Sequence, residues 1–253
     1  MKYGLIFFFL MILSCGKDAQ KKSSTEKQSP LPIYASSEIL VNVFYENGAE
    51  PYTDNLLTLK LWDLLQINLD SLFEGRSDKP TIKIPKRLDE MVKFDDYARY
   101  KWTIEEVLAL SKVYSISDQK DKKSFNLFFL NGHAQEDEKI IGYHISETNV
   151  IAIFKDVIKA SGSSEEVSKY MEQATLIHEL GHAFGLVNNG LAMVSDHQDP
   201  EHGGHCKNQN CVMYYANEGA SSMKSFALNS LAKGSVVMFG EQCLRDSRNY
   251  KKE

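Results

Sequence analysis

The five residues His178-Glu179-Leu180-Gly181-His182 constrain this 253-residue chain more than any other stretch. On an α-helix, side chains four apart lie on one face about one turn apart, so both imidazoles can reach a single metal ion. Glu179 stands beside them. The flanking residues favour a helix: Ser163 and Glu166 form a Ser-x-x-Glu capping box, and Val167, Met171, Ala174, Ile177 and Leu180 follow at helical spacing. Gly185, three residues past His182, lets the helix stop and the chain turn back under an ion.

His-Glu-x-x-His is the zinc hydrolase signature, in which the glutamate takes a proton from water at the metal. Extended to HExxHxxG, the run resembles the metzincins, zinc peptidases whose full motif is HExxHxxGxxH with a methionine turn beneath the metal. The resemblance implies His178 and His182 as ligands and Glu179 as the base. It departs at Asn188, which stands where the third histidine is expected; asparagine is a poor zinc ligand, so the third donor must come from elsewhere. His197, His202 and His205 follow in the next loop.

The run from His205-Cys206 to Cys211-Val212-Met213, written HCx4CxM, resembles the archaemetzincin branch. On that resemblance His205 is the third ligand, residues 188–204 contain an insertion, and Met213 is the methionine of the turn. Tyr215 is then similar to the Met-x-Tyr tyrosine of astacins and serralysins, which can approach the metal and steady an oxyanion. His202 and His197 remain alternates for the third ligand; with Asp199 they could instead close the inserted loop through hydrogen bonds or a second cation. Without the upstream motif, Met213 and Tyr215 read as ordinary core residues.

Four cysteines occur, and setting Cys15 aside leaves Cys206, Cys211 and Cys243. In an oxidising compartment two of them would pair, and Cys243 with either loop cysteine would tie the C-terminal segment to the floor of the site. The archaemetzincin resemblance implies a rival, a second and structural zinc held by four cysteines, the last two in an FCxxC run. Here that run is Phe239-Gly240-Glu241-Gln242-Cys243, with glycine in place of the first cysteine. A Cys3His site completed by His202 is the form left open.

Cys15 is set aside because Lys2 and the apolar run Leu5 to Leu13 have signal-peptide length, too short to span a membrane. Ile12-Leu13-Ser14-Cys15 resembles a bacterial lipobox, although Leu13 is large for its position, and a plain secretory signal is the alternative. Residues 1–15 are thus expected to be a lipoprotein signal peptide, residues 16–37 a polar tether, and residues 38–253 one domain. The protein is expected to be exported and lipid-anchored to a bacterial membrane as a monomer. Net charge is −5, and removing Lys2 makes it more negative, which disfavours nucleic acid and anionic headgroups as partners.

Along the domain, Glu38 to Glu46, Thr81 to Pro85, Ser124 to Leu130, and Ile140 to Tyr143 with Asn149 to Phe154 read as strands. Helices are expected from Asp54 over about five turns, from Thr103 to Tyr114, and over 221–232 and 239–248. This order gives an α+β class, and it resembles a zincin of metzincin type: a twisted mixed sheet of about four strands backed by helices, with an active-site helix and a C-terminal Met-turn subdomain. Asn149 to Phe154 is a candidate for the cleft-edge strand that pairs with substrate, or is simply buried. The expected function is a zinc endopeptidase acting on protein or peptide, with one catalytic Zn2+. The alternative is a non-catalytic zinc-containing surface lipoprotein that binds a partner, which would have no need of Glu179.

Overall fold

The computed structural model describes residues 32–56 and 58–250. The expected signal peptide, Cys15 and the expected tether up to residue 31 lie outside the described residues. The rest of the expected tether is built into the domain: a 3-10 turn, Pro32–Ala35, buries Ile33 and Tyr34. Tyr34 stacks on Tyr250 at 4.7 Å and its hydroxyl donates to Phe184 O at 3.3 Å.

Strand β1 (Glu38–Glu46) is followed by the short hairpin β2 (Asn55–Leu56) and β3 (Leu59–Lys60), then helix α1 (Leu61–Leu72). The helix therefore begins later than its apolar pattern suggests. Asp54 does not cap it, because its carboxylate pairs with Lys169. Next come β4 (Thr81–Lys83), β5 (Val92–Phe94), β6 (Lys101–Trp102) and α2 (Ile104–Tyr114). The expected capping box is present at α2: Thr103 accepts from Glu106 N at 3.2 Å and Glu106 accepts from Thr103 N at 3.0 Å, a reciprocal cap of the kind that contributes about 1 kcal/mol.

Strands β7 (Lys122–Leu130), β8 (His133–Ala134), β9 (Gly142–His144) and β10 (Val150–Phe154) lead into α3 (Lys155–Ser161) and α4 (Glu165–Ala183). The chain closes with α5 (Ala220–Lys233) and α6 (Glu241–Arg248). The main sheet has six strands in the path β4-β1-β7-β10-β9, with β5 also on β1. It exceeds the expected four because β5, three residues with one buried, is too short to carry a pattern, and because the last expected strand is a hairpin of two, β9 and β10. All pairings are parallel except β9 on β10. The parallel centre is buried in near-continuous apolar runs, as sheets covered on both faces are.

α4 runs through the core against α1, α3 and α5. Ser164, not Ser163, caps it, accepting from Val167 N at 3.3 Å. Midway, the fully buried Lys155 and Glu172 pair with each other, and Glu172 also accepts from Tyr52 N at 2.8 Å. Among the described residues no helix is long and apolar enough to cross a membrane.

Candidate metal centre

The last two turns of α4 carry His178, Glu179 and His182. His178 Nδ1 lies 2.7 Å from Val212 O; a carbonyl only accepts, so Nδ1 carries the proton and Nε2 keeps its lone pair. That carbonyl is itself fixed. Asn217 Nδ2 donates to it at 3.0 Å, Val212 N donates to Met238 O at 2.9 Å, and Met238 N donates to Asn68 Oδ1 on α1 at 2.7 Å. The orientation of His178 is thus traceable to a buried asparagine on another helix.

His182 Nε2 stands 3.1 Å from His178 Nε2. His205 completes the group, its ring centroid 4.7 Å from that of His182 and 5.4 Å from that of His178. It is buried, yet neither of its ring nitrogens has a hydrogen-bond partner. Burial, with the neighbouring His205, holds His178 down to about 4 and His182 well below the ordinary histidine range, so both imidazoles are neutral at pH 7. Donors around a tetrahedral zinc with bonds of about 2.0–2.1 Å lie about 3.3 Å apart, and converging, neutral, otherwise unpartnered nitrogens fit that ion.

Glu218 joins the three histidines, the four offering donor atoms within 4.8 Å of one another. Its carboxyl is held below the usual range by His205, whose Nε2 lies 3.0 Å from Oε1. Glu218 lies five residues past Met213, at no position of the HExxH pattern, and sequence spacing gives no sign of it.

Glu179 is buried and accepts from His144 N at 2.7 Å. Burial, reinforced by the charge of Glu218, pushes its carboxyl up to about 8 against that hydrogen bond. A cleft of about 330 Å³ opens over Gly142, His144, Glu179, His182, His205 and Glu218. A hollow of about 740 Å³ shares His144, Ser146, His182 and Asn189 with it and extends past residues 147–149. The strand on this cleft is β9 at the sheet edge; β10, the expected candidate, lies between β7 and β9 with all five residues buried.

Met213 lies under α4 against Gly181, where an added Cβ would come within 2.3 Å of its Sδ. Beyond the helix, Gly185 has φ 78°, and Val187 and Asn188 are left-handed at 56° and 60°. This turn leaves Asn188 exposed, its amide 3.4 Å from Gln198 Oε1 and away from the histidines. The loop of residues 188–204 then passes through His197 and the chain returns at His205.

His202 is no part of the three-histidine group. Its ring stacks on Tyr215 at 3.8 Å and its Nδ1 lies 3.0 Å from Asp199 Oδ1, which also accepts from the Glu201 and His202 N–H groups. Tyr215 is likewise turned to that loop, with its phenol beside Tyr214, and does not line the cleft.

His197 belongs to a second, fully buried cluster. Its Nδ1 is 3.4 Å from Cys206 Sγ and 4.0 Å from Cys243 Sγ, and Cys211 Sγ is 3.5 Å from Cys243 Sγ. All three thiols are unpaired, so the expected disulfide is absent among the described residues. His197 Nε2 is held at 2.6 Å by Asp246 Oδ2. Gly240, where a fourth cysteine was missed, instead donates its N–H to Cys211 Sγ at 3.1 Å. Hydrogen bonds from Cys211 and Cys243 drive the Cys206 thiol far below its ordinary range, while Cys211 is pushed up to about 12.

No family model matches the chain, and no curated protein matches it. Among solved structures it is similar to an archaemetzincin from Methanopyrus kandleri, at 15% identity over 85% of this chain and 94% of that one, with a TM-score of 0.42. It is also similar to a zinc-dependent peptidase from Methanocorpusculum labreanum, at 12% identity over 82% and 99%, with a TM-score of 0.43. At such values neither likeness bears on chemistry, which rests on the side chains above.

Proposed function

We propose that this chain is a zinc-dependent endopeptidase whose metal is held by His178, His182 and His205. The observation that carries the reading is Glu179: a buried carboxyl group next to three converging imidazoles, open to a cleft. Zinc bound there supplies a Lewis acid that polarises a scissile carbonyl and acidifies water. Glu179 is the base, aimed by the His144 N–H; burial raises its carboxyl to about 8 without a metal, and a zinc charge beside it would favour the ionised form that accepts a proton and returns it to the leaving amine. Extended substrate would lie along the β9 edge, where backbone groups supply affinity without demanding a sequence.

A second, structural zinc would sit among His197, Cys206 and Cys243, with Cys211 Sγ 3.5 Å from Cys243 Sγ as the nearest further donor and Asp246 orienting the imidazole from behind. The inserted loop, by bringing in His197, would supply the donor that Gly240 lacks. Export and lipidation at Cys15 rest on the leader sequence alone. Tyr215 contributes no oxyanion contact in this reading.

The test compares purified wild type with Glu179→Gln for zinc content and for cleavage of a quenched peptide library. Equal zinc, with cleavage slowed about 100-fold to 10,000-fold in the variant, is expected. Zinc bound by a wild type that cleaves nothing would overturn the enzyme reading in favour of a non-catalytic zinc protein.

A further inference from the structure

Glu218 ends the 3-10 turn Tyr215–Glu218, and the HExxH motif has no place for it. Its Oε1 lies 3.0 Å from His205 Nε2, yet that nitrogen has no hydrogen-bond partner. Two lone-pair-bearing atoms this close need either a shared proton, which makes them an ion pair, or a metal ion that both face. A metal ion there would be shared by the whole cluster, since the Glu218 oxygen and one nitrogen each of His178, His182 and His205 lie within 4.8 Å of one another.

The backbone beneath Glu218 is held from two sides. Asn217 Nδ2 donates to Cys211 O at 3.3 Å and to Val212 O at 3.0 Å, the carbonyl that His178 uses. Ala220 N donates to Lys139 O at 3.1 Å, and Gly219 bridges to Ile140 on the cleft wall. The side chain itself is 57% exposed, so it can rotate into solvent while the backbone stays in place.

We propose that Glu218 is the fourth and displaceable protein ligand of the metal held by His178, His182 and His205. It closes the coordination shell of the resting protein and yields to an incoming oxygen ligand. Zinc held by three imidazoles carries two positive charges, and the Glu218 carboxylate offsets one of them in a site that burial has partly dried. A ligand that must first displace a carboxylate binds with its affinity reduced by the fraction of sites left open.

The inference rests on the metal assignment above and not on peptide cleavage. Zinc-loaded wild type, Glu218→Ala and Glu218→Gln are titrated with acetohydroxamate by calorimetry, and zinc affinity is measured by chelator competition. In Glu218→Ala, zinc should bind about 10-fold or more weakly while hydroxamate binds about 10-fold more tightly; Glu218→Gln should move both the same way by less. Hydroxamate affinity in Glu218→Ala that is unchanged or weaker overturns the proposal, because the carboxylate would then act only on His205. Neither readout needs turnover, so a protein that cleaves nothing can still pass, and an active peptidase can still fail.

Discussion

The two donor clusters differ in how much of their surroundings the protein has supplied. His197, Cys206, Cys211 and Cys243 are wholly buried, with Asp246 behind the imidazole and the Gly240 N–H on one sulfur. His178, His182 and His205 face a cleft, and the group nearest their open side, Glu218, is more than half exposed. Closure of this kind belongs to a site that holds a fold together; an accessible position belongs to a site that exchanges ligands. The buried pair Lys155 and Glu172 is the control, complete within the chain and needing no ion.

The largest expected effect follows from breaking the closed site. Structural zinc contributes about 10–16 kcal/mol of apparent binding energy in small zinc domains, so Cys243→Ser should abolish cooperative unfolding or lower Tm by more than about 15 °C in thermal melts. An unchanged melting curve would mean that the thiols merely pack. Lys155→Met should cost about 3–5 kcal/mol in urea unfolding, because it strands the Glu172 carboxylate in the core. Unlike the cysteine variant, its melting curve should show an ordinary response to chelator, since its defect involves no metal.

The histidines sharpen the same contrast. His205→Ala should lose the open-site zinc with little change in Tm, His197→Ala should lose the other ion and much of the stability, and His202→Ala should keep both ions by metal analysis. Zinc retained by His205→Ala but lost by His202→Ala would reassign the third ligand.

A smaller effect is expected from Glu179 with the open-site ion removed. Its folded pKa of about 8 lies above the ordinary carboxylate value, so the fold keeps a proton that the unfolded chain releases. Below about pH 4.5 both states are protonated and the group contributes nothing. Stability should then fall as pH rises towards 8 and level off above it. Glu179→Gln should remove that fall and raise Tm at pH 8 by several degrees; a parallel pH profile in the variant would contradict it. Cys15→Ser should leave Tm unchanged while releasing the protein from the membrane fraction, and continued membrane association would refute the anchor.

What the sequence made legible was whatever local chemistry settles. The Thr103 capping box, the β1 run and the HExxH helix depend on near neighbours and could be read directly. The role of His197 could not, because Cys206 and Cys243 reach it only after the left-handed turn at Val187 and Asn188 sends the loop away and back. Glu218 was hidden for a related reason: its nearness to His205 comes from the 3-10 turn after Met213, which no spacing rule announces. Tyr215 misled in the opposite sense. It stands two residues past Met213, but a flat contact with His202 holds its ring on the loop of residues 188–204. The edge strand also reversed: Ile140 to Tyr143 signals the segment that becomes β9, but β10 has the stronger pattern, and nothing local tells which of the two lies at the edge.

The most direct measurement of the central claim is staged removal of metal from the wild-type protein, following zinc by native mass spectrometry, cleavage by a quenched peptide and fold by circular dichroism. The account predicts two phases: one zinc leaves first and takes all cleavage with it while the fold persists, and a second leaves only as the fold collapses. Cleavage that survives loss of the first ion, or a single phase in which metal, cleavage and fold disappear together, would contradict it.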